Sequence, residues 1–127
     1  MSVEQRIYDF SLDAKEDMED SQFRVVAGSG EFGCVIAGAA DEDSVGILQN
    51  KPEADAEYGT AEIRRVGISK AVCGDNIDVW DKVTPDVNGD IVTALEGERY
   101  VGVALQAGTD DRVISIMMEF GYAPAAS

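Results

Sequence analysis

The sequence predicts an all-β protein, a small β-barrel or sandwich of about eight or nine short strands with an extended N-terminal arm. Two observations favour this class. From residue 22 onward, short runs of β-branched and aromatic residues alternate with turns rich in glycine, aspartate and asparagine. No stretch of that region keeps the apolar spacing of a long amphipathic helix. With 45% apolar residues in a chain of 127, the strands can enclose a core of ordinary size.

The first 21 residues differ from the rest and are predicted to form the arm. Apolar residues are sparse there, and residues 1–10 alternate only weakly between apolar and polar. Ser11 is a candidate N-cap, so residues 11–21 could hold one or two helical turns, although a helix this polar is marginal alone. We therefore expect an arm over residues 1–21, a β-barrel domain over residues 22–122 and a flexible tail over residues 123–127.

Glycine turns predict two hairpins. The first pairs the strands on either side of Gly-Ser-Gly at residues 28–30. The stretch "GSGEFG" also matches the G-x-G-x-x-G pattern of dinucleotide-binding loops, but strand formers follow it where that motif needs a helix. The second hairpin pairs residues 83–84 with residues 91–92 around Asn88-Gly89, a strong turn signal because both residue types tolerate positive φ.

A further pair of strands flanks a polar loop. "VGILQ" at residues 45–49 predicts a short strand, and the loop at residues 50–59 contains Pro52, which cannot donate to a ladder. Residues 60–73 predict a long strand in which Gly67 allows a bulge.

The last two predicted strands cover residues 99–106 and 112–122. The first of them repeats a motif, x-V-G-[IV], that also occurs in "VGILQ". The glycines of the two copies, Gly46 and Gly102, suit the close packing of one backbone on another.

The charge narrows the range of partners. The chain has 25 acidic against 10 basic residues, a formal net charge of −15. Nucleic acid is not expected as a partner, because phosphate contacts need a basic surface. No run approaches the roughly 20 apolar residues of a membrane helix, and the N-terminus does not resemble a signal peptide, so we expect neither a membrane partner nor secretion. Such acidity suits either a halophilic environment, where salt screens the repulsion, or an ordinary acidic protein.

The residue types that catalysis needs are scarce. The chain has no histidine, which removes the commonest general base and the Ser-His and Cys-His nucleophile systems. Cys34 and Cys73 are either buried thiols or a disulfide, and two thiols without histidine cannot complete a tetrahedral metal site. Asp86, Asn88 and Asp90 alternate like the start of a calcium loop, but the glycine and glutamate that complete such a loop are not at the required positions. We therefore expect no enzyme activity, no cofactor and no metal.

Four short motifs in a fixed order carry a family resemblance. They are "LQNKP" (residues 48–52), "GISK" (67–70), "VGVAL" (101–105) and "VISI" (113–116). With the leader "FSLDAKEDMEDSQFRVV" before them and the "DVNGD" hairpin among them, the chain resembles the capsid decoration proteins of tailed phages, also called cement or head-stabilisation proteins. The resemblance covers most of the chain, and the strong acidity and Cys73 depart from the family pattern.

The resemblance implies a structural virion protein of a bacteriophage or archaeal virus. Such a protein is made in the host cytoplasm and binds the outer surface of the capsid at capsomer junctions, where it stabilises the DNA-filled head. The implied partners are the major capsid protein and two further copies of the chain in a homotrimer. An extended N-terminal arm helps proteins of this kind to grip the shell.

Apolar residues of the arm and three large residues of the domain are the candidate contacts. Arg64 and Arg65 straddle one strand, so one of them should face outward, either as a salt-bridge donor to a neighbouring chain or as an ordinary surface residue. Trp80 is interpreted as a core or subunit-contact aromatic. The predicted capsid or subunit contacts are Val3, Ile7, Tyr8, Phe10, Leu12, Arg64, Arg65 and Trp80.

Other interpretations stay open at this point. The same features fit a non-catalytic β-barrel module that binds a ligand or peptide, which a deep apolar pocket would favour. They also fit another virion component, such as a tail or head-fibre protein. A metal-assisted hydrolase would require a tightly bound divalent ion at Asp86 or Asp90.

Overall fold

The computed structural model describes residues 5–40, 42–52 and 59–123, and it confirms the predicted all-β class. These residues contain no helix, and therefore no helix that is long and apolar enough to cross a membrane. Within these three ranges, nine strands form one sheet. The strands are β1 (Gln5–Ala14), β2 (Val25–Gly28), β3 (Gly33–Ile36), β4 (Ser44–Leu48), β5 (Thr60–Val72), β6 (Lys82–Pro85), β7 (Ile91–Thr93), β8 (Arg99–Ala104) and β9 (Val113–Tyr122).

Five of the strands close into a barrel. They follow the order β1-β3-β2-β4-β5, and β1 also pairs with β5, which completes the circle. The β1–β5 ladder is antiparallel and runs from Gln5↔Ile68 to Asp13↔Thr60. Because a closed barrel has no free strand edge, this half of the molecule is protected from pairing with other chains. The other four strands extend the sheet from β5 in the order β9-β8-β6-β7.

Strand β5 connects the two halves because it is 13 residues long. Its first part contributes Ala61 and Ile63 to the barrel core, and its last part contributes Ala71 to the core under the extension. The barrel core comprises Ala14, Met18, Val26, Cys34, Leu48, Ala61 and Ile63. The larger core comprises Val25, Ala27, Ala37, Ile47, Ala71, Cys73, Ile77, Val83, Ile91, Val101, Ala104, Ile114, Ile116 and Met118.

Both predicted hairpins are confirmed. Strands β2 and β3 pair antiparallel across the glycine turn, so the "GSGEFG" stretch is a hairpin and no nucleotide-binding helix follows it. Strands β6 and β7 pair around the second turn, with Thr84 opposite Val92 as expected. Gly89 in that turn has a φ of +78°, a conformation that glycine adopts without steric cost.

The helical turns expected within residues 11–21 do not form. Strand β1 continues to Ala14, and bends and turns follow it. Phe10, Leu12 and Ala14 are partly or fully buried, whereas Ser11 and Asp13 are exposed. This alternation of buried and exposed side chains is typical of a β-strand. It determines the local structure here, although Ser11 is a residue type that often caps a helix. The described part of the predicted arm is therefore hydrogen-bonded into the sheet. The division of the chain into an arm, a domain and a tail at residues 21 and 122 stays a prediction.

The repeated motif serves backbone packing, as predicted. A Cβ atom at Gly102 would lie 2.8 Å from the carbonyl oxygen of Met117 and 2.8 Å from Cδ1 of Ile116. A Cβ atom at Gly46 would collide with the carbonyl of Arg64, and Gly46 also has a φ of +156°. Both glycines therefore let a neighbouring strand approach more closely than any side chain would allow.

Candidate interaction surfaces

The apolar residues predicted as arm anchors divide into two groups. Phe10 and Leu12 pack against the barrel core and are thus used within the chain. Tyr8 is 52% exposed and stacks on Phe10, with ring centroids 5.8 Å apart. Ile7 lies in β1, but its side chain is outside the described residues, and so is Val3 entirely.

Tyr8 belongs to a row of exposed apolar side chains on the outside of β1, β5 and β9. It lies opposite Val66 in the β1–β5 ladder, and Ile68 lies opposite Met117 in the β5–β9 ladder. Directly opposed residues of a ladder share one face of the sheet, and Tyr8, Val66 and Met117 are all exposed. We call Tyr8, Val66, Ile68 and Met117 the outer apolar row. In a protein with a net charge of −15, such a row is the kind of surface that a partner covers.

Arg64 is engaged within the chain. Its Nε donates to Oδ1 of Asp9 at 2.9 Å and its Nη2 donates to Oδ2 at 3.2 Å, which gives a two-point contact between β5 and β1. A third bond runs from Nη1 to the carbonyl oxygen of Ile68 at 3.0 Å. The side chains of Arg64 and Asp9 are only 8% and 15% exposed. Of the predicted arginine pair, Arg64 therefore joins two strands of the barrel.

Arg65 is the arginine that faces outward. Arg65 is two residues after Ile63 in β5, so a regular strand would place both on the same face, and Ile63 is buried. Arg65 is nevertheless exposed, because β4 and β9 separate beside it. Its guanidinium lies 4.2 Å from the ring centroid of Phe120 and donates to the carbonyl oxygen of Val45 at 3.2 Å. The predicted outward-facing arginine thus lies across a gap between two strands.

Trp80 is on the surface and does not belong to the core. It is 65% exposed, has a φ of +71°, and lies in a tight turn before β6, with Val79 exposed next to it. Its backbone N–H donates to the carbonyl oxygen of Ala104 at 2.7 Å, and the N–H of Asp78 donates to Oδ2 of Asp81 at 3.0 Å. A well-fixed turn therefore presents a large aromatic side chain to solvent, which is the geometry of a contact residue.

Arg99 and Tyr122 form a feature that the sequence analysis missed. Arg99 donates from Nε to the hydroxyl oxygen of Tyr122 at 3.1 Å and pairs with Asp43 at 3.3 Å. These hydrogen bonds, with that of Tyr122 first, raise the pKa of Arg99. One feature of the sequence could have drawn attention to Arg99: it stands next to an aromatic residue, Tyr100, in a chain that has few basic residues.

Arg24 and two aspartates surround the Asn88-Gly89 turn. Oδ1 of Asp86 accepts from the N–H groups of Asn88 and Asp90, and Nε of Arg24 lies 2.8 Å from Oδ1 of Asp90. Burial raises the pKa of Asp90 although Arg24 opposes the shift. In the described ranges, no three groups of the metal-binding residue types lie close enough together to hold an ion. The chemistry of this stretch is that of a hydrogen-bonded turn.

The two cysteines are free thiols and both are fully buried. Burial is the main cause that raises the pKa of each from 9.0 to about 11, and nearby carboxylates add to it. A thiol with such a pKa is neutral at physiological pH and is a poor nucleophile. Cys34 and Cys73 therefore act as small apolar residues of the two cores.

No protein-family model matches the sequence, and no curated protein matches it either. The fold, however, is similar to a solved structure, described as the crystal structure of the head fiber gp8.5 N base in bacteriophage phi29. The similarity has a TM-score of 0.61 and covers 88% of this chain and 93% of that chain, at 15% sequence identity. At this identity the likeness establishes a shared fold.

Proposed function

We propose that this chain is a structural protein of a virion that sits on the outside of the capsid. The observation that carries the proposal is the fold shared with the base of a phage head fiber, because the similarity spans nearly the whole of both chains. The ordered motifs that resemble capsid decoration proteins point in the same direction and are independent of that likeness. Fold alone does not determine function, so the two arguments are stronger together than either is alone.

In its finer form, the proposal is that the chain binds at capsomer junctions as a trimer and stabilises the DNA-filled head. A protein that binds the assembled lattice but not free subunits stabilises the lattice by mass action. Trimerisation strengthens such binding, because three weak contacts on one particle act at a high effective concentration. Catalysis plays no part in this function, and we propose that the chain is not an enzyme.

The exposed aromatic residues are the proposed contacts with the capsid or with neighbouring copies. The outer apolar row and Trp80 both place large side chains in solvent, on backbone that is paired with other strands or hydrogen-bonded to them. Aromatic residues on rigid backbone contribute much contact area at a small cost in conformational entropy. Of the residues predicted from the sequence, Tyr8 and Trp80 fit this role best.

The experiment uses particles from the genome that encodes this chain, produced with its gene deleted, to which the purified full chain is added back. We expect saturable co-sedimentation of the chain with the particles. We also expect the temperature of DNA release, followed with an intercalating dye, to rise with occupancy. The matched control is an equal amount of a small acidic protein of unrelated fold. Failure of the chain to co-sediment would contradict the proposal.

A second candidate function is the base of a head fiber, which the phi29 likeness specifically favours. In this second proposal the chain also binds the outside of the capsid, but it needs only to anchor a projecting structure. Co-sedimentation without any change in the temperature of DNA release would favour this candidate over a stabilising decoration protein.

A further inference from the structure

A groove opens where strands β4 and β9 separate. The β5–β9 ladder ends at Ile68↔Met117, whereas β9 continues to Tyr122. The β4–β5 ladder includes only Ile47↔Arg64 and Leu48↔Ile63. Between the two ladders lies a cleft of about 460 Å³, which we call the cationic groove. Its lining includes Val45, Arg65, Arg99, Phe120 and Tyr122, and also Asp43, the carboxylate that pairs with Arg99.

The groove concentrates positive charge in a strongly acidic protein. Arg65 and Arg99 line it, and both guanidiniums lie over aromatic rings, those of Phe120 and Tyr122. In the part of the chain that the structure describes, the contacts of Arg65 are a ring and a carbonyl oxygen, with no carboxylate among them. A guanidinium held in this way keeps its charge and most of its N–H donors for a ligand.

The groove also offers hydrogen-bonding groups. Over residues 118–122, the described partners of β9 belong to β8 alone, so the other edge of β9 faces the groove. A free strand edge is the usual site at which an extended peptide adds itself to a sheet.

We propose that the cationic groove binds an extended acidic segment of a partner protein, which pairs with the end of β9 and places a carboxylate between Arg65 and Arg99. A guanidinium and a carboxylate match in geometry and charge. Nucleic acid fits less well, because a peptide backbone can pair with the free edge of β9 and a phosphate backbone cannot. Under the proposed function the partner is another virion protein. This identity of the partner rests on the proposed function, whereas peptide binding by the groove does not.

The test is a titration of the ¹⁵N-labelled full chain with the peptide acetyl-Glu-Val-Glu-Val-Glu-amide, followed by two-dimensional NMR. We expect shifts of the backbone N–H signals of Ser44, Val45, Phe120 and Gly121, with the rest of the spectrum unchanged. The same peptide with lysine in place of glutamate should give no shifts in the groove. Inorganic phosphate at matched ionic strength should shift these signals far less than the glutamate peptide. The experiment needs no particle, so it can fail while the proposed function holds.

Four variants sharpen the test. Arg65→Gln and Arg99→Gln should each weaken peptide binding about tenfold, since each removes a charge-assisted hydrogen bond. Asp43→Asn should tighten it about twofold or more, because Asp43 competes for Arg99 from an exposed position. Arg112→Gln is the matched control: Arg112 is exposed and lines a different cleft, so the affinity should not change.

Three results would overturn the inference. One is the absence of shifts in the groove at millimolar peptide. Another is an equal loss of affinity in Arg112→Gln and Arg65→Gln, which would indicate non-specific attraction. The third is an equal response to inorganic phosphate, which would make the groove a site for small anions and not for a peptide.

Discussion

The ion pair between Arg64 and Asp9 should account for a large share of the attachment of β1 to the barrel. We consider Asp9→Asn and Arg64→Met, each of which leaves one member of the pair without its partner. The two side chains are 8% and 15% exposed and are joined by two N–O contacts of 2.9 and 3.2 Å. Removing one partner of a buried ion pair lowers the free energy of unfolding by about 3–5 kcal/mol. Because Asp9 keeps some exposure to solvent, we expect a loss near the lower end of that range.

The magnitude can be converted into a melting temperature. A loss of about 3 kcal/mol in a domain of this length lowers the Tm by about 10 °C. The double variant Asp9→Asn/Arg64→Met should cost little more than either single variant, because it leaves no uncompensated charge. The assay is thermal unfolding followed by circular dichroism, with hydrogen exchange to show that the loss of protection is greatest in β1.

The control is the exposed pair between Arg99 and Asp43. Their side chains are 43% and 88% exposed, so Asp43→Asn should lower the Tm far less than Asp9→Asn or Arg64→Met. Single variants of Arg64 and Asp9 that lower the Tm no more than Asp43→Asn would refute the reasoning. So would losses that simply add in the double variant, because additivity would mean that the two side chains do not act as a pair.

Three more predictions concern a glycine, the cysteines and Trp80. Gly102→Ala should destabilise by about 1–3 kcal/mol in denaturant unfolding, because its Cβ would press on the backbone of the next strand. Gly28→Ala should change stability by less than about 0.5 kcal/mol, because its Cβ would meet only Cγ1 of Val45, at an ordinary contact distance of 4.0 Å. Since burial raises the pKa of Cys34 and Cys73 from 9.0 to about 11, the folded state holds these protons more tightly, and the free energy of unfolding should fall as the pH rises from 9 to 11. The double variant Cys34→Ala/Cys73→Ala should lack this part of the pH dependence; an unchanged slope would contradict the assignment. Trp80→Ala should leave the Tm within about 2 °C because the side chain is 65% exposed, and it should weaken binding to particles about fivefold or more; unchanged binding would remove Trp80 from the contact.

Local sequence signals predicted the fold class and both hairpins, since glycine turns and β-branched runs act over a few residues. The tight packing at Gly46 and Gly102 was also foreseen, because only a backbone approach explains a glycine inside a strand. The strand at residues 5–14 was missed. Its pairing with β5 joins residues 47 to 63 positions apart, from Asp13↔Thr60 to Gln5↔Ile68, and the weak local alternation did not reveal that partner.

The interaction surfaces were predicted less completely for the same reason. The sequence indicated that one of Arg64 and Arg65 faces outward, but which one depends on Asp9 in a distant strand. The cationic groove depends on the separation of β4 and β9, which no local pattern encodes. The exposure of Trp80 follows from a turn with positive φ, a conformation that is unusual for tryptophan and is not expected from its residue type.

The most direct test of the central claim is a cryo-electron microscopy difference map between particles with and without this chain. The account predicts added density on the outer surface of the capsid, at positions repeated by the lattice symmetry and of a size that fits the nine-stranded fold. Density at threefold positions would support the finer proposal of a trimeric decoration protein. Density inside the shell, on the tail only, or nowhere on the particle would contradict the account.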